Sequence, residues 1–540
     1  MQELHSLLHS FTSGEGSSFR NYLSCFTTYN KENIKQLQLA ELLMNEKEPP
    51  THDACCIKLY GTKHDHSFDD LKYQLKEKAL DFLLSDISCD KKKELDEADY
   101  AIIRMKKKSA QFQHLFFSKT RIFAINYLLD DIIREAKKYE QYSMLAEHLK
   151  YKKTIVSWKQ GKAEFEKTNA EMQDAAKRLA LYNKAEHYYY ELNMMNEYNG
   201  RQDEEKKLQW LKKVIAEIDT ENKNIKSPHV SYSLKFLELE YYQLKKNYAK
   251  ARSVCTEWLD IVMDNKSVYR RQRLGVVYDN LSRCEFYLQD YTQAAKDARE
   301  AQKYFNAGSE NYCIALEQEF YALFAMEQYN EAIDMAEKMI SSATRKELGE
   351  FRDAKYHYLL ANALFKKERF REALNLLSQE RELSQDKAGW EIGRRTLKIM
   401  TLVEKNQLDE AGLTVHSLKQ FFSRTETETP ISPRDKIILK LLLMAERKGF
   451  AFNTLTGGTD KYMSKLKAPP QPSPLGRENI SSPDGGEPAL SLSKGQEGAL
   501  AWQPFTHEVF PFHEWFAGKL KINLNKVTAS SEKLKVMVMK

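Results

Sequence analysis

An aromatic or apolar residue stands three places before an alanine five times in the middle of this chain. The pairs are Tyr248/Ala251, Tyr291/Ala294, Tyr329/Ala332, Phe370/Ala373 and Leu408/Ala411, and the alanines are 43, 38, 41 and 38 residues apart. A near-constant period of this size marks a stack of like units. One helical hairpin cannot bury its own apolar face, but neighbours in a stack bury it for one another. The stretch Tyr278 to Ala301, YDNLSRCEFYLQDYTQAAKDAREA, shows the unit most clearly. Two apolar helical stripes flank a short polar break, with small residues at Ser282, Ala294 and Ala301 where two helices would approach closely.

Proline placement supports helices. Of 13 prolines, eight lie from Pro469 onward, and between Pro50 and Pro430 there is only Pro228. So long a run without proline is hard to reconcile with a turn-rich β domain and suits helices joined by short polar turns.

Tyr278, Leu281, Ser282, Ala294 and Ala301 in one unit, and His357, Leu360, Ala361, Leu364, Phe365 and Ala373 in another, fall in the order of the tetratricopeptide repeat motif. From about Ser227 to Phe422 the chain resembles that family. It departs from the pattern at Phe320, where a small residue belongs, and at Arg395 and Lys398, which take apolar places. The period exceeds the family's roughly 34 residues, so longer helices are expected. The resemblance implies an all-α solenoid of tetratricopeptide-like hairpins with an N-terminal helical region. It also implies a concave face lined by the first helix of each hairpin. The groove-facing places fall on Arg283, Phe286 and Tyr287, on Tyr321 and Phe324, and on Tyr358, Asn362 and Lys366. Rings mixed with cationic and amide donors suit an extended peptide or helix, although Phe286 and Phe324 are equally readable as core between repeats. The family's two-carboxylate clamp is represented only by Asn362 and Lys366, so a receptor for chaperone tails is not expected.

The expected organisation is an N-terminal helical region over 1–118, long helices over 119–226, repeats over 227–425 and closing helices over 426–466. A low-complexity insertion over 467–500 and an aromatic docking segment with a loose tail over 501–540 complete it. Ser67 is a candidate helix cap, with Asp70 three places on. Phe165 to Tyr198 reads as one long helix ended by Gly200. Ser432-Pro433 reads as a helix start. Residues 467–498 carry no aromatic and little apolar content, so that stretch is expected to be disordered. The aromatic density from Trp502 to Leu520 suits a segment that packs back onto the array.

Charge excludes little. Lys plus Arg is 83 and Asp plus Glu 77, a net of +6 spread over 540 residues, and no concentrated basic face points to nucleic acid. The clusters Lys91 to Lys93 and Lys106 to Lys108 lie beside acids and read as solvated helix faces. The seven cysteines show no CxxC, which favours a reducing compartment over a disulfide framework or zinc ribbon. No apolar run has the length of a signal or a membrane span. A cytoplasmic protein is expected.

Catalytic motifs are absent: no Walker loop, GxGxxG or GxSxG occurs. Histidine pairs at His64/His66 around Asp65, and at His507-Glu508 with His513-Glu514, are the candidate metal ligands, but Pro511 keeps the second set off one helix face. Tyr188 to Tyr190 could stack on a ligand, though adjacent helical residues diverge, so part of that cluster must be core. The reading is a non-catalytic scaffold that binds protein or peptide and needs no cofactor. A peptide-responsive regulatory sensor, as some bacterial regulators are, with 1–118 as output module, is the alternative. A metal-dependent hydrolase is the third. Deleting 469–497 should leave the melting temperature almost unchanged, because loop closure costs grow only logarithmically with length. Truncation at Gly498 should lower it, since each buried ring contributes about 2 kcal/mol.

Overall fold

The computed structural model describes residues 1–26, 31–63, 65–85, 95–118, 122–159, 161–198, 204–342, 345–379, 389–427, 431–455, 458–466 and 505–520. The expected disordered insertion, Trp502, the stretch after Ile522 and the cluster Lys91 to Lys93 lie outside them. The described elements are helices, and no strand occurs among them. The chain divides into two compact units, one of residues 1–182 with 266–268, the other of the remaining residues.

The first unit holds α1 (Gln2–His9), α2 (Ser13–Ser24), α3 (Lys31–Asn45), α4 (His52–Tyr60) and α5 (His66–Ser85). Leu8, Phe19, Leu39, Leu43, Phe68 and Leu75 form their shared core. Thr12 starts α2 with a capping box: its hydroxyl accepts from Glu15 N, and the Glu15 carboxylate accepts from Thr12 N. Helix α5 begins one residue before Ser67. Asp65, not Ser67, turns the chain there by accepting from Ser67 N at 2.8 Å. A second core follows, built from Met105, Phe112, Ile132, Ala136 and Leu149. It joins α6 (Glu97–Phe117), α7 (Ile122–Lys138), α8 (Tyr142–Lys159) and the first part of α9 (Gly161–Tyr198). Within it Lys108 pairs with the buried Asp131.

In the second unit α10 (Glu204–Ile225) precedes five hairpins. Their first helices are α11 (Pro228–Leu244), α13 (Arg271–Tyr287), α15 (Glu310–Ala325), α17 (Arg345–Lys366) and α19 (Trp390–Glu404). Their second helices are α12 (Tyr248–Asp264), α14 (Tyr291–Gln302), α16 (Tyr329–Ser342), α18 (Phe370–Ser378) and α20 (Leu408–Thr425). Helix α21 (Pro433–Glu446) follows, with the Ser432 hydroxyl capping it by accepting from Asp435 N, and then the short α22 (Asp460–Met463). The Tyr188 cluster divides as helical geometry requires. Tyr188 donates to Glu217, Tyr189 packs on Phe236 with ring centres 4.6 Å apart, and Tyr190 is exposed.

The turn inside each hairpin is the same in all five. Lys246, Gln289, Glu327, Glu368 and Asn406 have φ between 55° and 67°, the left-handed region, although none is glycine. Each lies five residues before its register alanine. The next residue's N–H bonds back five places, as Asp290 N does to Glu285 O and Arg369 N to Leu364 O, each in a six-residue closure that satisfies an orphan helix carbonyl. A non-glycine left-handed residue costs about 1–2 kcal/mol, so its recurrence shows that the packing around it dictates the turn. Asn247 and Asp290 then cap the second helix through their side chains. The same closure occurs at Glu140, whose φ is 52°, with Gln141 N bonded to Ala136 O just before Tyr142.

The register alanines Ala251, Ala294, Ala332, Ala373 and Ala411 are fully buried. The Ser282 hydroxyl donates to Ala294 O at 2.8 Å, which fixes how closely the two helices of that hairpin approach. Gly275 serves the same packing, since a methyl there would stand 2.5 Å from the Phe305 ring. Phe320, out of place for a small residue, is fully buried in the stack. Arg395 stays clear of the core by bonding Glu391 and lying over Phe421. Ala294→Arg or Ala373→Arg should each destabilise the stack by more than about 3 kcal/mol, because neither the volume nor the charge fits a closed crossing. Thermal melts followed by circular dichroism check this, and an unchanged transition in both variants contradicts the assignment.

Candidate functional site

The first helices of the hairpins turn one common set of register places toward a single face. Arg283, Tyr321 and Asn362 lie 11 residues before their alanines, and Tyr287 and Lys366 lie seven before theirs. The structure fills this face with the chain's own segment Phe505–Leu520, which ends in α23 (Phe512–Lys519).

The segment enters over the second and third hairpins. The Phe505 ring packs on Phe286 at 4.6 Å, Tyr321 at 4.7 Å and Tyr287 at 5.7 Å. Tyr287 is itself stacked on Tyr248 at 4.1 Å, tying the first hairpin to the second. Phe510 lies between Phe324 and Phe365, at 6.3 and 5.8 Å, and the Lys366 ammonium sits 4.2 Å from its ring centre. Burial pulls the Lys366 pKa down, and the rings replace part of its lost hydration. Farther along, Trp515 and Lys519 donate to the two oxygens of Glu404 at 2.6 and 2.8 Å.

Backbone approach needs a bare position. The Tyr358 hydroxyl donates to His507 O at 2.5 Å, and Gly393 lies beside that bond. A methyl at 393 would stand 2.6 Å from the same carbonyl oxygen and 2.7 Å from the Tyr358 hydroxyl. Burial pushes the Tyr358 hydroxyl pKa well up, so it stays a donor.

The polar anchor comes from the start of α21. Arg434 donates to both oxygens of Glu508, at 2.5 and 2.8 Å, and to His513 Nδ1 at 2.9 Å. Glu508 also accepts from Phe512 N at 2.6 Å, starting α23. Asp435 accepts from His507 Nε2 at 2.9 Å. Because arginine only donates, His513 accepts at Nδ1 and carries its proton at Nε2. Burial, then the Arg434 charge, hold the His513 pKa down to about 4.

Of the six residues expected to bind a partner, Tyr287, Tyr321, Tyr358 and Lys366 touch this segment. Arg283 is half-buried and makes no hydrogen bond or ion pair with a described residue. Its charge opposes the burial that raises Asp279 to a pKa of about 6. Asn362 is fully buried and donates to Tyr358 O at 2.8 Å, so it shapes the floor of the face rather than facing outward. Of the expected second metal set, His507, Glu508 and His513 are engaged in docking while Glu514 is exposed, and no group able to hold a metal occurs among the described residues. His64 lies outside them. Sequence reasoning missed Gly393, Glu404, Arg434 and Asp435. Glu404 lies seven residues before Ala411, the offset of Tyr287 and Lys366, so the register carried that signal. Nothing in the sequence pairs Arg434 with Glu508 across 74 residues.

No protein-family model matches the chain, and no curated protein matches it. Among solved structures it is similar to one titled the crystal structure of APC/C hetero-tetramer Cut9-Hcn1. That match has 14% identity and a TM-score of 0.33, and covers 79% of this chain and 72% of the other. It is also similar to a Signal Transduction ATPase with Numerous Domains protein with a tetratricopeptide repeat sensor from Pyrococcus horikoshii, at 11% identity and a TM-score of 0.28. There 82% of this chain is covered, and the chain spans 64% of that protein's length. Likenesses of that size carry no argument about function. Among the described residues, no helix is long and apolar enough to cross a membrane.

Two outcomes follow. Gly393→Ala should release the segment while leaving the hairpins folded, seen as early proteolysis within 505–520 without loss of helicity. Acid should do the same. His513 has a lower pKa docked than released, so its contribution is complete above about pH 6.5 and is lost as pH falls toward 4, up to about 3 kcal/mol. The raised carboxyl of Glu514 opposes this, but that side chain is solvent-exposed and weighs less. Trp515 fluorescence, read against Trp515→Phe, should change over that range, and His513→Asn should flatten the change.

On this geometry the described chain is all-helical, and its second unit is a stack of five like helical hairpins.

Proposed function

We propose that this protein is a non-catalytic cytoplasmic scaffold that takes a protein or peptide segment along the first-helix face of its repeats. The residues assigned to binding are Arg283, Tyr287, Tyr321, Tyr358, Asn362 and Lys366. One observation carries the reading: successive hairpins offer equivalent register places, and a 16-residue segment, helical only over Phe512–Lys519, already lies along them, from Tyr287 to Glu404. Rings, a cation and a hydroxyl placed on a rigid helical support are what an extended segment needs. Aromatic and arginine anchors of this kind contribute most of the affinity at such interfaces. Arg283 is the residue best placed to act on a partner alone, since no described residue bonds or ion-pairs with it.

A photoreactive benzoylphenylalanine at position 283 or 366 should cross-link a partner captured from source lysate. The same group at Leu413, exposed on a second helix, should not. Arg283→Ala should leave the melting temperature unchanged and weaken capture by about 2 kcal/mol, roughly thirtyfold. A partner that cross-links only within residues 1–118 overturns this reading.

A further inference from the structure

The geometry points to a specific class of partner: a linear protein segment with aromatic residues on both sides of a carboxylate, bound in competition with residues 505–520. This rests on the reading of the first-helix face as a protein-binding site, and it adds what that site recognises. The face is built around three demands. Arg434 is buried and requires a carboxylate, which Glu508 supplies through two hydrogen bonds. The ring clusters beneath Phe505 and Phe510 each require an aromatic side chain, five residues apart along a bent, non-helical stretch of chain. Gly393 and the Tyr358 hydroxyl require a bare backbone carbonyl between the two rings.

The segment in place meets these demands incompletely. The Tyr321 hydroxyl and Asn362 Oδ1 are buried on the covered face and find no hydrogen-bond partner among the described residues. Buried polar atoms left unpaired weaken an interface relative to one that satisfies them. A segment with the same aromatic–carboxylate pattern, and a donor or acceptor aimed at these two atoms, gains over the internal one on the same surface. The internal segment therefore acts as a built-in competitor. It covers the rings when no partner is present and yields when a better-matched one arrives.

The test uses the full-length chain and a fluorescent synthetic peptide with the sequence of residues 505–520. Wild type should bind the peptide weakly, because its tethered copy holds the face at a high effective concentration. Phe510→Ala, which weakens the tethered copy alone, should bind the same peptide about tenfold tighter or more. Glu508→Gln, which leaves Arg434 without its carboxylate, should act in the same direction, with circular dichroism confirming that both variants keep their helices. Adding Arg434→Met, in the face rather than the segment, should abolish the gain. Equal peptide affinity in wild type and both segment variants overturns the competition. Tight binding by the variants that survives Arg434→Met overturns the assigned carboxylate recognition. Absence of peptide binding in every chain, while the lysate partner still cross-links at position 283, overturns this inference and leaves the scaffold reading standing. Loss of both overturns the two together.

Discussion

The close crossing of the two helices within each hairpin is the constraint on which the rest of the second unit depends. Each crossing is set by a fully buried alanine and by a left-handed residue five places before it. The turn is costly for Lys246, Gln289, Glu327, Glu368 or Asn406, none of which is glycine. It persists because it closes the helix end by hydrogen bonds and delivers the second helix at the one distance where the alanine fits. Once that distance is fixed, the positions 7 and 11 residues before each alanine return to the same side of every hairpin, and a continuous face results.

That face is apolar enough to need cover. Phe286, Tyr321, Phe324 and Phe365 are each 4–6% exposed, and the cover comes from the chain itself. The segment is held by two kinds of interaction with different sensitivities. Ring burial by Phe505, Phe510, Phe512 and Phe516 involves no titrating group and is strengthened by salts that are excluded from apolar surface. The buried group of Arg434, Glu508 and His513 is worth keeping only when complete, since removing one partner from such a pair typically costs about 3–5 kcal/mol. The apolar contacts supply adhesion, and the buried ions select which segment may lie there and in which register.

Much of this was legible in the sequence for a physical reason: an alanine at a close crossing leaves a periodic trace. The period located five hairpins, and proline placement argued for helices throughout. The hairpin of α7 and α8 escaped notice because Leu145 stands where the other units have alanine, although the left-handed turn at Glu140 is the same. At the face, the seven-residue offset of Tyr287 and Lys366 also applies to Glu404, whose unit departs from the repeat pattern at Arg395 and Lys398. Asn362 holds a groove-facing register place yet spends its amide N–H on Tyr358 O, so it lines the floor of the face, which the register alone does not show. The anchors Arg434 and Asp435 left no periodic trace at all. They follow the repeats, and their partners lie more than 70 residues away, so only the folded arrangement brings them together.

The central claim is that the first-helix face is filled by residues 505–520 in the native protein. Native-state hydrogen exchange of the full-length chain at neutral pH addresses it directly, because exchange reports whether a segment is folded against its surroundings. The account predicts strong protection across Phe512–Lys519, whose amides include Phe512 N bonded to Glu508, at a level below that of the hairpin cores. Exchange of this segment at the rate of an unstructured peptide, with the hairpins still protected, would contradict it.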